Sequence, residues 1–166
     1  QEGVAQLAWA MGEEMGLAED ALKGLWMAAL IHDIGKLHIP GEILNKPTTL
    51  TALEYEIVKR HPEVGSETLK GISFPWPIAH IVSQHHERMD GSGYPRGLKG
   101  RQILPEVRIL SVADVIEAMC SHRPFRPAYP LEAALDAIRS GAGTLFDAKV
   151  VEACLRVFEK GFRFER

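Results

Sequence analysis

The 166-residue sequence is short of several things. It has two cysteines, Cys120 and Cys154, with no CxxC spacing, so no disulfide framework is written into it and both read as reduced thiols on helices. It has no basic excess: the formal charge is −3 and the pI near 6.2. That excludes the field that grips duplex nucleic acid, so any nucleotide ligand would be held by local cations. Long hydrophobic runs are missing too. The longest, Leu25 to Ile31, is far shorter than a membrane span and is ended by His32 and Asp33, which predicts a soluble, cytoplasmic domain without membrane contact. No signal peptide is visible, since Val4, Leu7, Ala8 and Met11 already follow helical spacing. The stretch is therefore expected to begin inside a helix, as a piece cut from a longer protein. Strand-like alternation is almost absent.

What is present is enough apolar material for one core and one domain, with 46% of residues hydrophobic and 25% charged. Val4 to Met15 and Glu19 to about Lys36 are apolar at three- and four-residue intervals around a turn at Gly16, and predict a helical hairpin. Residues 40–49 carry two prolines, Gly41 and Asn45 and read as a loop. Thr51 with Glu54 has capping-box spacing and opens a helix toward Arg60. Pro62 suits the first turn of the next, to about Lys70. Further helices are expected from Pro77 to near His86, from Pro105 to about Cys120, over Leu131 to Ser140, and over Asp147 to Phe158. The fold class is all-α.

Chemistry appears when polar residues are placed on those helices. His32 and Asp33 fall on the stripes of Leu25, Ala28, Ala29 and Leu30; His85 continues Ile78, Ile81 and Val82; Asp114 continues Val107 and Leu110. Three helices thus aim ionisable groups at the core. A carboxylate buried there needs a cation or must become neutral, and inward histidines without comparable inward lysines favour a metal. His61 has a second reading, as an imidazolium closing a helix. His38 and His80 are read as surface or packing residues.

HDIGK at 32–36, HPEVG at 61–65, HHE at 85–87, DGSGYP at 90–95 and VADVIEAM at 112–119 together resemble the signature set of HD-GYP domains. These are helical bacterial phosphodiesterases that hydrolyse cyclic di-GMP. The resemblance runs from about Val4 to Phe158 and implies an HD-type helical bundle with an extended GYP loop, as one domain over 1–166 of a longer signalling protein.

It further implies two divalent metals, with iron or manganese favoured. His32, Asp33 and Asp114 would hold one, and Asp33, as a bridge, with His61, His85 and His86 the other. A metal-bridging hydroxide would attack phosphorus, giving linear pGpG, with GMP left open as a further product. Lys36, a turn after His32, would stabilise the transition state, or else pair with Asp33 or Asp114. Arg123 and Arg126 would hold the second phosphate, or else be surface arginines. In the loop of Asp90, Gly91, Gly93, Tyr94 and Pro95, the glycines would allow unusual backbone conformations and Tyr94 would face a guanine. The same loop offers a surface for a diguanylate cyclase domain.

The sequence departs from the family at several points. A further histidine ligand usual in the first helix would fall one residue before Gln1, so one metal site is expected to be incomplete in this stretch. Gly3 replaces a common arginine, His122 an acid, and Pro127 a basic residue. Two other functions stay open: a binding module for cyclic di-GMP or a cyclase, and an HD phosphohydrolase for other nucleotides.

Overall fold

The computed structural model describes residues 1–122 and 126–164, and among these all regular structure is helical. Helix α1 (Glu2–Glu14) buries Val4, Leu7, Ala8 and Met11, and α2 (Glu19–Ile31) buries Leu22, Leu25, Ala28 and Ala29. Their three- and four-residue spacing gives each helix one apolar face. The two pair as a hairpin turned at Gly16, whose φ of +75° is left-handed. Short helices α3 (Gly41–Leu44), α4 (Ala52–Val58), α5 (His61–Leu69) and α6 (Ile78–Gln84) follow. Then come α7 (Pro105–Cys120), α8 (Leu131–Ser140) and α9 (Ala148–Glu159). Helix α1 also packs on α7 and α9, so the core runs from Leu7 and Leu25 through Ile81 and Leu110 to Cys154.

Local signals set most boundaries. Thr51 and Glu54 form the expected capping box, the Thr51 hydroxyl accepting from the Glu54 N–H while the Glu54 carboxylate accepts from the Thr51 N–H at 2.7 Å. Pro105 occupies the first turn of α7, and the Asp147 carboxylate caps α9. Two expectations need correction. Helix α2 does not continue to Lys36: it ends at Ile31, and Ile34–His38 form a 3-10 helix. The cause is tertiary, because this segment must lie against α5 at Gly35. Residues 40–49 are not all loop either, since Pro40 starts the single-turn α3.

Gly35 lets the two backbones touch. A Cβ there would lie well inside contact distance of the His61 carbonyl oxygen and 2.6 Å from the Gly65 nitrogen, with no flexible side chain able to yield. Gly71, just beyond α5, faces open space. Gly35→Ala is therefore expected to destabilise the protein by about 1–3 kcal/mol or more, while Gly71→Ala stays within about 0.5 kcal/mol of the parent. Urea unfolding of the two variants checks this contrast.

Candidate metal centre

Helix ends, rather than helix faces, aim the histidines. A helix leaves its last carbonyls without intrahelical donors, and three imidazoles satisfy such groups three residues back. Nδ1 of His32 lies 2.7 Å from the Ala29 carbonyl, that of His61 2.6 Å from Val58, and that of His85 2.7 Å from Val82. A carbonyl oxygen only accepts, so each Nδ1 carries the proton and donates. In a neutral ring the Nε2 is then a bare lone pair, and those of His61 and His85 face each other beside Asp33 Oδ1.

They converge on Asp33, which sits between α2 and the 3-10 helix. The Nε2 atoms of His61 and His85 are 3.1 Å apart, and lie 3.3 Å and 3.8 Å from Asp33 Oδ1. Yet Oδ1 is buried and, among the described residues, makes no hydrogen bond. Asp33, His61, His85 and His86 each bring one donor atom to within 4.8 Å of the others. On the other side, His32 Nε2 lies 3.5 Å from both Asp33 Oδ2 and Asp114 Oδ1. Asp33 thus joins two groups, one with His32 and Asp114, the other with three histidines. Facing lone pairs and an orphaned carboxylate oxygen repel unless a cation lies among them. This nitrogen and oxygen donor set suits a divalent transition metal.

The electrostatics agree. Burial pushes Asp33 up, but the approach of His61 and the charges of His32 and Lys36 outweigh it and hold the carboxyl far below the usual carboxylate range. Burial likewise opposes ionisation of Asp114, and the close His32 overcomes it, again leaving the pKa well below normal. His85 and His86 are driven down by burial and by neighbouring histidines, His86 to about 3 with Asp114 opposing, so both stay neutral donors. His32 moves the other way: burial lowers it, but Asp114 and Asp33 prevail.

Lys36 does not follow a helical stripe from His32, because α2 has already ended. Its ammonium reaches back 2.6 Å to Asp33 Oδ2, the pairing that stood as its other reading. His85 caps α6 and His86 follows it, their ring centroids 4.1 Å apart and tilted by 43°. Tyr94 stacks on His86 at 4.8 Å, half-buried, with its phenol pushed well up by burial. Arg126 lies away from this group. It donates to the carbonyls of Ala118, Met119 and Pro127 and covers the Tyr129 ring, closing the end of α7. Arg123 lies outside the described residues. His38, His80 and His122 are exposed.

The GYP loop is tied down by a residue that the sequence marks only by its place after the histidines. Glu87 is buried, and its carboxylate accepts from the backbone N–H of Arg96 at 2.8 Å and of Leu98 at 2.9 Å. Asp90 accepts from the Ser92 N–H, and the Tyr94 N–H donates to the His86 carbonyl. Gly91 has a φ of +85°, as a loop glycine should. Gly93 is needed for space, not for φ: a Cβ would fall on the backbone of His86, Glu87 and Arg88. A depression of about 320 Å³ lined by Asp33, Lys36, Ile34 and Leu37 opens beside the centre. A cavity of about 450 Å³ near Glu117 and Phe164 shares no residue with it.

Two outcomes follow for the metal-free protein. Asp33, Asp114, His85 and His86 all have folded-state pKa values below their unfolded ones, so each contributes stability at higher pH that is lost on acidification. His32, shifted up, contributes below about pH 6.5 and loses that contribution as pH rises. Stability should fall as pH drops from about 6.5 toward 5, and more steeply below about 4, as read by urea unfolding at each pH. Glu87→Gln should release the loop, because one amide oxygen replaces a carboxylate serving two donors, at about 1–3 kcal/mol. Hydrogen exchange at the Arg96 and Leu98 amides should accelerate while α1 and α7 stay protected.

Comparison with known proteins places this geometry. A family model described as "HD domain" matches residues 1–150. The chain is 44% identical over 157 residues to the cyclic di-GMP phosphodiesterase response regulator RpfG of Xanthomonas campestris pv. campestris, covering 93% of this chain and 42% of that protein. It is 45% identical over 158 residues to a cyclic di-GMP phosphodiesterase of Thermotoga maritima, covering 94% and 43%. The chain thus spans less than half the length of these curated relatives. In structure it resembles Bd1817, an HDG"Y"P protein from Bdellovibrio bacteriovorus, with a TM-score of 0.79 and 19% identity over 95% of this chain and 51% of the other. The chain belongs to the HD domain family, and its ordered motifs, GYP loop included, put it in the HD-GYP branch.

Proposed function

We propose that this chain is the hydrolytic domain of a metal-dependent phosphodiesterase that opens cyclic di-GMP to linear pGpG. The observation that carries this reading is the meeting of bare Nε2 atoms from His61 and His85 with the unpartnered Oδ1 of Asp33. Two divalent ions, iron or manganese, would be held by His32, Asp33 and Asp114 and by Asp33, His61, His85 and His86. When bound, such ions would acidify a coordinated water and neutralise charge on the phosphoryl oxygens. The second group brings four protein donors against three, so it is the one expected to fill first.

The chain's own residues supply the rest. Asp33, its carboxylate paired with the Lys36 ammonium at 2.6 Å, would orient the attacking water toward phosphorus. Lys36, one-third exposed beside Asp33, offers its ammonium to the equatorial oxygens as negative charge develops there. Tyr94 presents a flat face beside His86 for a guanine. Arg123 and Arg126 stand in this reading as contacts to the second phosphate, although Arg126 must release carbonyls to serve. No helix among the described residues is long and apolar enough to cross a membrane, and we place the domain in the cytoplasm with its nucleotide substrate.

A second reading, a binding module that docks a cyclase domain through residues 90–95, is supported by the exposure of Asp90 and Ser92 at the loop tip. Turnover separates the two. Asp33→Asn keeps the size of the side chain but removes the charge facing both groups. Hydrolysis of cyclic di-GMP should fall at least about a hundredfold and bound metal should drop, with the helical circular dichroism unchanged. Near-normal turnover and metal content in this variant would remove Asp33 from the centre and the dinuclear reading with it.

A further inference from the structure

One donor of the metal centre lacks the support that the others have. His32, His61 and His85 each donate Nδ1–H to a carbonyl three residues back, which fixes both the tautomer and the ring angle. His86 does not. Among the described residues no hydrogen bond reaches its imidazole, which lies instead against three rings, with centroids of His85 at 4.1 Å, Tyr94 at 4.8 Å and His61 at 5.0 Å. His61 and His85 are fellow donors whose angles are set elsewhere, which leaves Tyr94, tilted by 32° to the His86 plane. An imidazole without a hydrogen bond turns about its Cβ–Cγ bond unless packing stops it.

The Tyr94 ring is in turn anchored from residues 84–87. Its own N–H donates to the His86 carbonyl at 3.3 Å, so backbone and ring of one histidine meet the same tyrosine. The buried Glu87 carboxylate takes the N–H groups of Arg96 and Leu98 at 2.8 Å and 2.9 Å, and the buried Gln84 amide oxygen takes that of Leu104 at 3.1 Å, just before α7. A carboxylate serving two backbone donors makes the stronger of these anchors. Gly93 lies so close to the backbone of His86, Glu87 and Arg88 that a Cβ would strike it. A loop fastened at Tyr94, Arg96, Leu98 and Leu104 cannot carry the phenol ring away from the imidazole.

We infer that Glu87 and Tyr94 are positioning residues of the metal centre: Glu87 fixes the loop, the loop seats the Tyr94 ring on His86, and that seat keeps the imidazole turned toward Asp33, His61 and His85. The loop does for His86 what helix-end carbonyls do for the other three histidines. All four donor atoms of this group lie within 4.8 Å of one another, a spacing that His86 keeps only while its ring cannot swing out. The inference rests on the metal centre proposed above and not on the choice of substrate.

Zinc, a diamagnetic ion suited to nitrogen and oxygen donors, tests this by titration into the metal-free protein, followed at the imidazole NMR signals. His61 and His85 report one group and His32 the other. Tyr94→Leu should raise the zinc Kd read at His61 and His85 about tenfold and that read at His32 less than about twofold, whereas Tyr94→Phe, which keeps the ring, should stay within about twofold of the parent at both. Glu87→Gln should weaken the same group, by less than Tyr94→Leu does. No nucleotide is present, so contact of Tyr94 with a substrate does not enter. The double variant decides. If Tyr94 acts through His86, adding Tyr94→Leu to His86→Ala costs less than about twofold more, because the donor it orients is already gone, whereas a general loosening of the fold would add its full tenfold again. That additive result, or zinc binding unchanged in both Tyr94→Leu and Glu87→Gln, overturns the inference. Helical circular dichroism is read on every variant; should Tyr94→Leu lose it, Glu87→Gln takes its place in the same cycle with His86→Ala. A parent in which zinc moves no imidazole signal sinks the metal centre and the inference together. The expected zinc pattern without turnover of cyclic di-GMP by the iron- or manganese-loaded protein sinks the catalytic reading alone and leaves the positioning roles standing.

Discussion

The site depends on one electrostatic constraint, the gathering of bare imidazole nitrogens around a carboxylate oxygen that has no hydrogen bond among the described residues. Lone pairs 3.1 Å apart do not assemble by attraction. They are held by hydrogen bonds on the far side of each ring, where Nδ1–H meets a helix-end carbonyl. The ring orientation therefore depends on where α2, α4 and α6 stop. A helix one residue longer would move the carbonyl, turn the imidazole, and lose the convergence.

That dependence explains why the neighbouring backbone is so tightly packed. Gly35 brings the 3-10 helix against α5, which sets His61 opposite Asp33. Gly93 brings the loop onto the backbone of His86 to Arg88, and Glu87 fastens it there from inside. Arg108 extends the same clamp by donating to the carbonyls of Gly100 and Ile103 while pairing with Asp147 at 3.1 Å. The loop is thus continuous with the centre through hydrogen bonds, and its Tyr94 ring is positioned by the histidine that precedes Glu87.

The charges at the centre are held in a state that only a polar, partly enclosed site maintains. Asp33 and Asp114 remain ionised against burial because cationic or proton-bearing groups approach them from several elements. His85 and His86 remain neutral because burial and each other forbid a proton. Opposite shifts of acids and imidazoles produce the same result, an array of electron-pair donors at neutral pH.

The sequence by itself determined the helices and the motifs. Three- and four-residue apolar spacing, Thr51 with Glu54, and the prolines at the starts of helices are local signals, and local backbone energetics obey them. It also marked His32, Asp33, His85 and Asp114 as inward by extending apolar stripes, although only Asp114 lies within its helix and the other three stand just past the ends of theirs. It did not show that α2 stops at Ile31, since the reason is the contact of Gly35 with a segment some thirty residues further on. It offered the pairing of Lys36 with Asp33 only as one of two readings, and it did not show that Arg126 closes α7 or that Glu87 holds the loop from beneath. These are decided by distances between groups remote in the chain, and only tertiary packing sets such distances.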